Sequence, residues 1–117
     1  MRNLILIFAM LLSITLTAQS KKPVMEKEGD LIKATYFHDN GEIAQIGFFK
    51  NGKTHGQWKM YDANGKKTAV ANYDQGKKTG KWLFWSEDGL KEVDYSDNRI
   101  VGITKWNNAN RVVVNEK

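Results

Sequence analysis

Histidine and cysteine, which often serve as metal ligands and in catalysis, are scarce in this sequence. His38 and His55 are the only two histidines, cysteine is absent, and the histidines lack the His-x-x-x-His and His-Glu-x-x-His spacings of metal sites. The sequence also contains no nucleophile elbow and no phosphate-binding loop that opens a helix. We therefore expect no catalytic residue, no cofactor and no metal ligand, and we interpret His38 as ordinary polarity at an exposed turn.

Lysines form the second group of residues that could bind a ligand. Eight lysines and only two acidic residues lie from Lys50 to Lys81, whereas the stretch 86–97 carries five acidic residues and one lysine. Runs of charge usually form solvated faces. The alternative is an edge that binds an anionic membrane surface or a polysaccharide through the lysines beside two predicted turns, which are Lys50, Lys53, Lys77 and Lys78. The net charge of +5 is too small to indicate nucleic-acid binding.

Aromatic residues form the third group. Trp58 and Trp82 precede Tyr61 and Trp85 by three positions, so the two pairs lie on opposite faces of their strands. A thin sheet must bury its apolar face, and we expect Trp58 and Trp82 to serve as core residues. Tyr61 and Trp85, on the other face, are candidate exposed contacts for a partner.

The elements that must position these residues follow a repeat of about 24 residues. The segment KNGKTHGQW at 50–58 returns as DQGKKTGKW at 74–82. Hairpin dipeptides recur at the same interval, at Asn40-Gly41, Asn64-Gly65 and Asp88-Gly89. Such dipeptides predict type I′ turns, in which both central residues have positive φ.

A second family of turns alternates with the first, at Asn51-Gly52, Gln75-Gly76 and Asn98-Arg99. The chain therefore reverses about every 12 residues, which leaves strands of roughly eight residues. This spacing predicts an all-β fold, an antiparallel β-meander of repeated hairpins in a single sheet that is twisted or partly rolled. The recurring glycines and tryptophans are then structural, and they are Gly41, Gly52, Gly56, Trp58, Gly65, Gly76, Gly80, Trp82, Gly89 and Gly102.

Small residues at Gly47 and Ala71 are expected to leave room for an indole from a neighbouring strand. The third unit is shorter, because Gly89 and Gly102 are 13 positions apart, against 15 in the preceding units. Loss of two residues preserves the faces, since side chains alternate with period two. Trp106 follows Gly102 by four residues, as Phe84 follows Gly80, so we expect Trp106 to occupy the same place in its repeat as Phe84.

Residues 48–61, FFKNGKTHGQWKMY, and 72–85, NYDQGKKTGKWLFW, resemble the MORN repeat, and more closely its bacterial variant in exported or antitoxin-annotated proteins. The resemblance covers about residues 34–106. It implies a sheet of repeated hairpins and a scaffold or interaction role. Some relatives are labelled antitoxins, and other MORN proteins are linked to phospholipid binding.

The N-terminal segment carries a targeting signal. Arg2 is followed by an apolar run from Leu4 to Leu16 and then by the small residues Ala18 and Ser20, which is the pattern of a secretory signal peptide. We expect residues 1–20 to be the signal, with cleavage after Ala18 or Ser20, and the alternative is an uncleaved N-terminal anchor. Residues 21–28 are then a short polar segment and 29–117 the repeat domain. The protein is then exported to the periplasm or secreted, and the leading hypothesis is a non-catalytic module that binds a protein or another envelope component.

Overall fold

The computed structural model describes residues 22–107 and 113–116, so the predicted signal segment lies outside the described residues. The described chain is all-β, and every strand pairs antiparallel to its neighbours in one open sheet. The strands are β1 (Val24–Glu28), β2 (Leu31–Phe37), β3 (Ile43–Lys50), β4 (Lys53–Tyr61), β5 (Lys67–Asp74), β6 (Lys77–Lys78), β7 (Gly80–Ser86), β8 (Gly89–Ser96), β9 (Arg99–Asn107) and β10 (Val113–Glu116). The predicted β-meander is confirmed. Among the described residues, no helix is long and apolar enough to cross a membrane.

The strands follow one another across the sheet in chain order, except that the short β6 pairs with β5 beside β7. The sheet begins earlier than the boundary expected at residue 29, because Val24–Glu28 pairs with Leu31–Thr35. Both β1 and β10 are edge strands.

The two ends of the hairpins use different turns. At one end both central residues have positive φ, as type I′ turns require, at Asn51-Gly52, Gln75-Gly76 and Asp97-Asn98. The third of these turns therefore lies one residue before the predicted Asn98-Arg99.

The opposite end does not have the predicted type I′ turns. At Asn40-Gly41 only the glycine has positive φ, at 90°, and the Gly41 N–H donates to the His38 carbonyl at 3.0 Å. This geometry is a type I turn followed by a left-handed glycine, a three-residue loop. Asn64-Gly65 repeats it, with the Gly65 N–H donating to the Asp62 carbonyl at 3.0 Å.

The third loop at this end of the hairpins, between β7 and β8, is one residue shorter than the other two. Ser86 pairs directly with Gly89, so the chain reverses through two residues, Glu87 and Asp88. The predicted Asp88-Gly89 turn therefore lies one residue too late, and Gly89 is the first residue of a strand.

The repeated Gly-x-x-x-Gly-x-Trp phrase encodes a hairpin with a bulge. Between β3 and β4 the register shifts by two residues after Ile46, and Gly56 within the shifted segment has a φ of 74°. Two residues further on, the Trp58 indole N–H donates to the Phe48 carbonyl at 3.1 Å. The bulge thus places a backbone acceptor where the buried indole needs one.

The next repeat makes the same contacts. Gly80 has a φ of 68°, and the Trp82 indole N–H donates to the carbonyls of Asn72 at 3.0 Å and Thr79 at 3.2 Å. Asn72 occupies the place of Phe48, 24 residues on. The phrase is therefore a folding signature.

One row of side chains across the sheet forms the core. It alternates small and large residues, and its buried members are Ala34, Trp58, Ala71, Trp82 and Val93. Gly47 completes the row between the first two, since a Cβ there would overlap the Trp58 ring. The expectation that Gly47 accommodates an indole is confirmed, and Ala71 pairs with Trp58 from the other side.

Aromatic side chains two residues along from this row cover the indoles. The rings of Phe49 and Tyr73 meet those of Trp58 and Trp82 edge-on, with centroids 5.2 Å apart in both pairs. Only 5% of Trp58 and 6% of Trp82 is therefore exposed, although no second layer of the described chain covers this face. We call it the aromatic face.

The last hairpin reverses the face of Trp106. Its bulge contains one extra residue, because Asp94 pairs with Gly102 and Tyr95 with Ile100. A one-residue change sends later side chains to the opposite face. Ile103 therefore pairs with Val93, and Trp106 lies on the face opposite Phe84, so its expected position was wrong.

Replacing Gly47 with alanine tests the close approach of Trp58. The added Cβ overlaps the indole, and overpacking of this kind should lower the unfolding free energy by about 1–3 kcal/mol. Urea unfolding followed by tryptophan fluorescence measures the change. Gly102→Ala is the matched control, since its Cβ would meet only the Asp94 carboxylate at an ordinary 3.5 Å. Equal stability of the two variants would contradict the account.

Candidate functional site

Both histidines join neighbouring hairpins. His38 is half-buried, and its Nε2 donates to the Tyr61 carbonyl at 2.8 Å, so it is more than the exposed turn polarity that we expected. His55 accepts the Gln75 N–H on its Nδ1 at 3.1 Å. Both rings are engaged by backbone groups of the next unit, and no group of three or more metal-ligating side chains occurs among the described residues.

The predicted lysines lie on the edge that carries the type I′ turns. Hydrogen bonds tie these turns together, from the Gly76 N–H to the Thr54 carbonyl at 2.7 Å and from the Asn98 N–H to the Lys78 carbonyl at 2.9 Å. Successive hairpins therefore present their turns side by side along what we call the lysine edge.

Two of the four lysines on this edge are occupied within the protein. Lys77 forms an ion pair with Asp97 at 3.1 Å, and the Lys78 ammonium lies 5.4 Å and 5.3 Å from the ring centroids of Trp82 and Tyr95. Lys50 and Lys53 face each other in register at the base of the first turn. The lysine edge is therefore less positive than four free lysines would make it.

The two candidate aromatic contacts are only partly accessible. Tyr61 and Trp85 are both half-buried on the face opposite the core row. Trp85 pairs with Leu90, which pairs with Trp106, so three apolar side chains lie side by side across β7, β8 and β9. We call this set the indole row.

Trp106 is the accessible member of the indole row, with 40% of its surface exposed. Its indole N–H donates to Glu92 Oε1 at 3.1 Å, and Glu92 Oε2 accepts from the Lys81 ammonium at 3.0 Å. Lys81 also donates to Asp94 at 3.1 Å. The exposed indole is thus hydrogen-bonded to a network of polar side chains.

The same network perturbs Lys81. Hydrogen bonds to Glu92 and then to Asp94 raise the pKa of Lys81 above its ordinary value, although its side chain remains exposed. The two carboxylates thus favour the charged form of this lysine. Sequence reasoning missed this arrangement because counting from Gly102 placed Trp106 on the other face; only the number of residues in the bulge reveals it.

Two of the hairpins are similar to a known repeat. The model of the MORN repeat variant matches residues 32–51 and 54–75, which correspond to the β2–β3 and β4–β5 hairpins. No curated protein and no solved structure matches the sequence. MORN repeats are generally non-enzymatic and mediate interaction with proteins or membrane lipids. Two successive hairpins of this chain are thus similar to the MORN repeat variant.

Proposed function

We propose that this chain is a non-catalytic, exported module that binds a protein partner of the cell envelope or extracellular space through the indole row. The general role of MORN repeats in interaction supports this class of function. The two histidines support the non-catalytic part of the proposal, because each forms a hydrogen bond that joins neighbouring hairpins.

The observation that carries the proposal is the exposed Trp106, whose indole N–H is hydrogen-bonded to Glu92. Tryptophan is enriched among the residues that dominate binding energy at protein interfaces. The hydrogen bond to Glu92 favours one orientation of the ring, which lowers the loss of side-chain freedom when a partner covers it. Leu90 and Trp85 extend the apolar contact, and the neighbouring Lys81–Glu92–Asp94 network supplies a polar rim.

The alternative partner is an anionic lipid or polysaccharide bound at the lysine edge. Lys50 and Lys53 would carry that binding, since Lys77 is paired with Asp97 and Lys78 lies over aromatic rings. Salt would weaken such binding strongly, whereas it would affect an apolar contact at Trp106 much less.

Affinity capture with variants of each surface distinguishes binding at the indole row from binding at the lysine edge. The tagged protein is incubated with the envelope fraction of its own organism, and Trp106→Ala is compared with Ile100→Ala, which removes another exposed apolar side chain. We expect Trp106→Ala to weaken binding of the recovered protein by about 30-fold or more, as truncation of a central tryptophan does. Ile100→Ala should bind like the parent.

Two outcomes would contradict the proposal. Equal recovery of the same partner by Trp106→Ala and the parent would exclude the indole row. Recovery of anionic lipid or polysaccharide that is lost in Lys50→Gln/Lys53→Gln would favour the lysine edge.

Export is a separate part of the proposal and rests on residues 1–20. Their order of charge, apolar run and small residues matches a secretory signal, and Ala18-Gln19-Ser20 fits a small-x-small cleavage site. Intact mass of the protein purified from its own organism should correspond to a chain that begins at Lys21, or at Gln19 if cleavage follows Ala18. A cytoplasmic protein that retains Met1–Ser20 would contradict export.

A further inference from the structure

A cleft of about 560 Å³ lies at the end of the aromatic face, beside the two-residue turn between β7 and β8. Phe84, Lys91 and Lys105 line it and stand opposite one another in register on β7, β8 and β9. Ligand pockets have volumes of roughly 300–1,000 Å³, so the cleft has room for a small molecule. Leu90 and Trp106 of the indole row also border the cleft, but the register places their side chains on the face opposite Lys91 and Lys105.

The cleft exists because the third unit departs from the repeat. One unit earlier, Ala69 stands between Met60 and Phe84, with only 6% of its surface exposed. In the third unit Lys91 takes the place of that alanine, and Lys105 follows on the next strand. Two lysines therefore continue a row that is apolar in the preceding unit.

The electrostatics of this pair favour an anion. Like charges directly opposite each other on neighbouring strands are destabilising. Within the described part of the chain, neither ammonium has a carboxylate within 4.0 Å, and the Lys91 ammonium instead lies 5.7 Å from the Phe84 ring centroid. Asp88 is the one carboxylate among the lining residues, so two positive charges face one negative charge.

We propose that this cleft binds a small ligand that carries one anionic group, a carboxylate or a phosphate monoester, on a flat apolar body. The anionic group lies between Lys91 and Lys105, where it relieves their repulsion and accepts charge-assisted hydrogen bonds. The apolar body packs against Phe84, the apolar lining residue on the same face as the two lysines. Asp88 disfavours a second negative charge on the same ligand.

Titration of the ¹⁵N-labelled protein with three probes tests the site. Benzoate and phenyl phosphate carry the proposed anionic groups, and benzamide is a neutral analogue of similar shape. We expect saturable shifts of the amide signals of Lys91 and Lys105 with one or both anions, and at least tenfold weaker binding of benzamide. The stronger of the two anions identifies whether a carboxylate or a phosphate is preferred.

Variants locate the binding. Lys91→Gln and Lys105→Gln should each weaken anion binding about tenfold, the scale of a lost charge-assisted hydrogen bond, and Lys91→Arg should restore most of it. Asp88→Asn should tighten binding several-fold. Lys67→Gln, which removes an exposed lysine at the start of β5, is the matched control and should bind like the parent.

Three results would overturn the inference. They are no saturable shift with either anion, equal binding of benzamide and the anions, and anion binding that survives both Lys91→Gln and Lys105→Gln. Because Trp106→Ala leaves these lysines in place, failure of this site and failure of the indole row are separate outcomes.

Discussion

The buried indole at each bulge is the interaction on which the rest of this structure depends. A single sheet has no second layer to cover its apolar side chains, so Trp58 and Trp82 must be buried by their own neighbours. Trp58 is accommodated because Gly47 and Ala71 add little bulk on its two sides, and Trp82 lies in the same buried cluster as Ala71. Its N–H would be costly to bury without a partner, and the bulge supplies a backbone carbonyl.

This constraint also explains why the hairpins associate as one body. Aromatic contacts run from one unit to the next, since Trp82 packs on Tyr73 and on Tyr95 of the following hairpin. At the two ends of the strands, polar groups make the corresponding connections, through His38 on one side and the backbone of Gly76 on the other. Each unit is therefore held at its centre by aromatic packing and at its ends by hydrogen bonds.

Much of this architecture is predictable from the sequence because it depends on local chemistry that recurs. The turns at Asn51-Gly52 and Gln75-Gly76, the core role of Trp58 and Trp82 and the space at Gly47 all follow from residue type and spacing. The class of the other turns does not, since an Asn-Gly dipeptide is compatible with both a type I′ turn and a type I turn with a left-handed glycine.

The features that concern function were harder to predict because they occur where the repeat changes. Whether the last bulge holds one or two extra residues decides the face of Trp106, and no residue type near Gly102 signals which. Ion pairing likewise depends on register. The sequence therefore could not show that Lys77 pairs with Asp97 whereas Lys50 lies opposite another lysine. The cleft at Lys91 and Lys105 appears only once β8 and β9 are aligned.

The unfolding free energies of Trp58→Phe and Trp82→Phe test the central claim most directly. Phenylalanine keeps an aromatic ring but cannot donate to the bulge carbonyl, so each variant should lose about 1–3 kcal/mol, with a further loss from the smaller ring. Trp106→Phe is the reference, because its indole bonds to an exposed network and should cost less than 1 kcal/mol. Losses at Trp58 and Trp82 no larger than that at Trp106 would contradict a fold built on indoles bonded at the bulges.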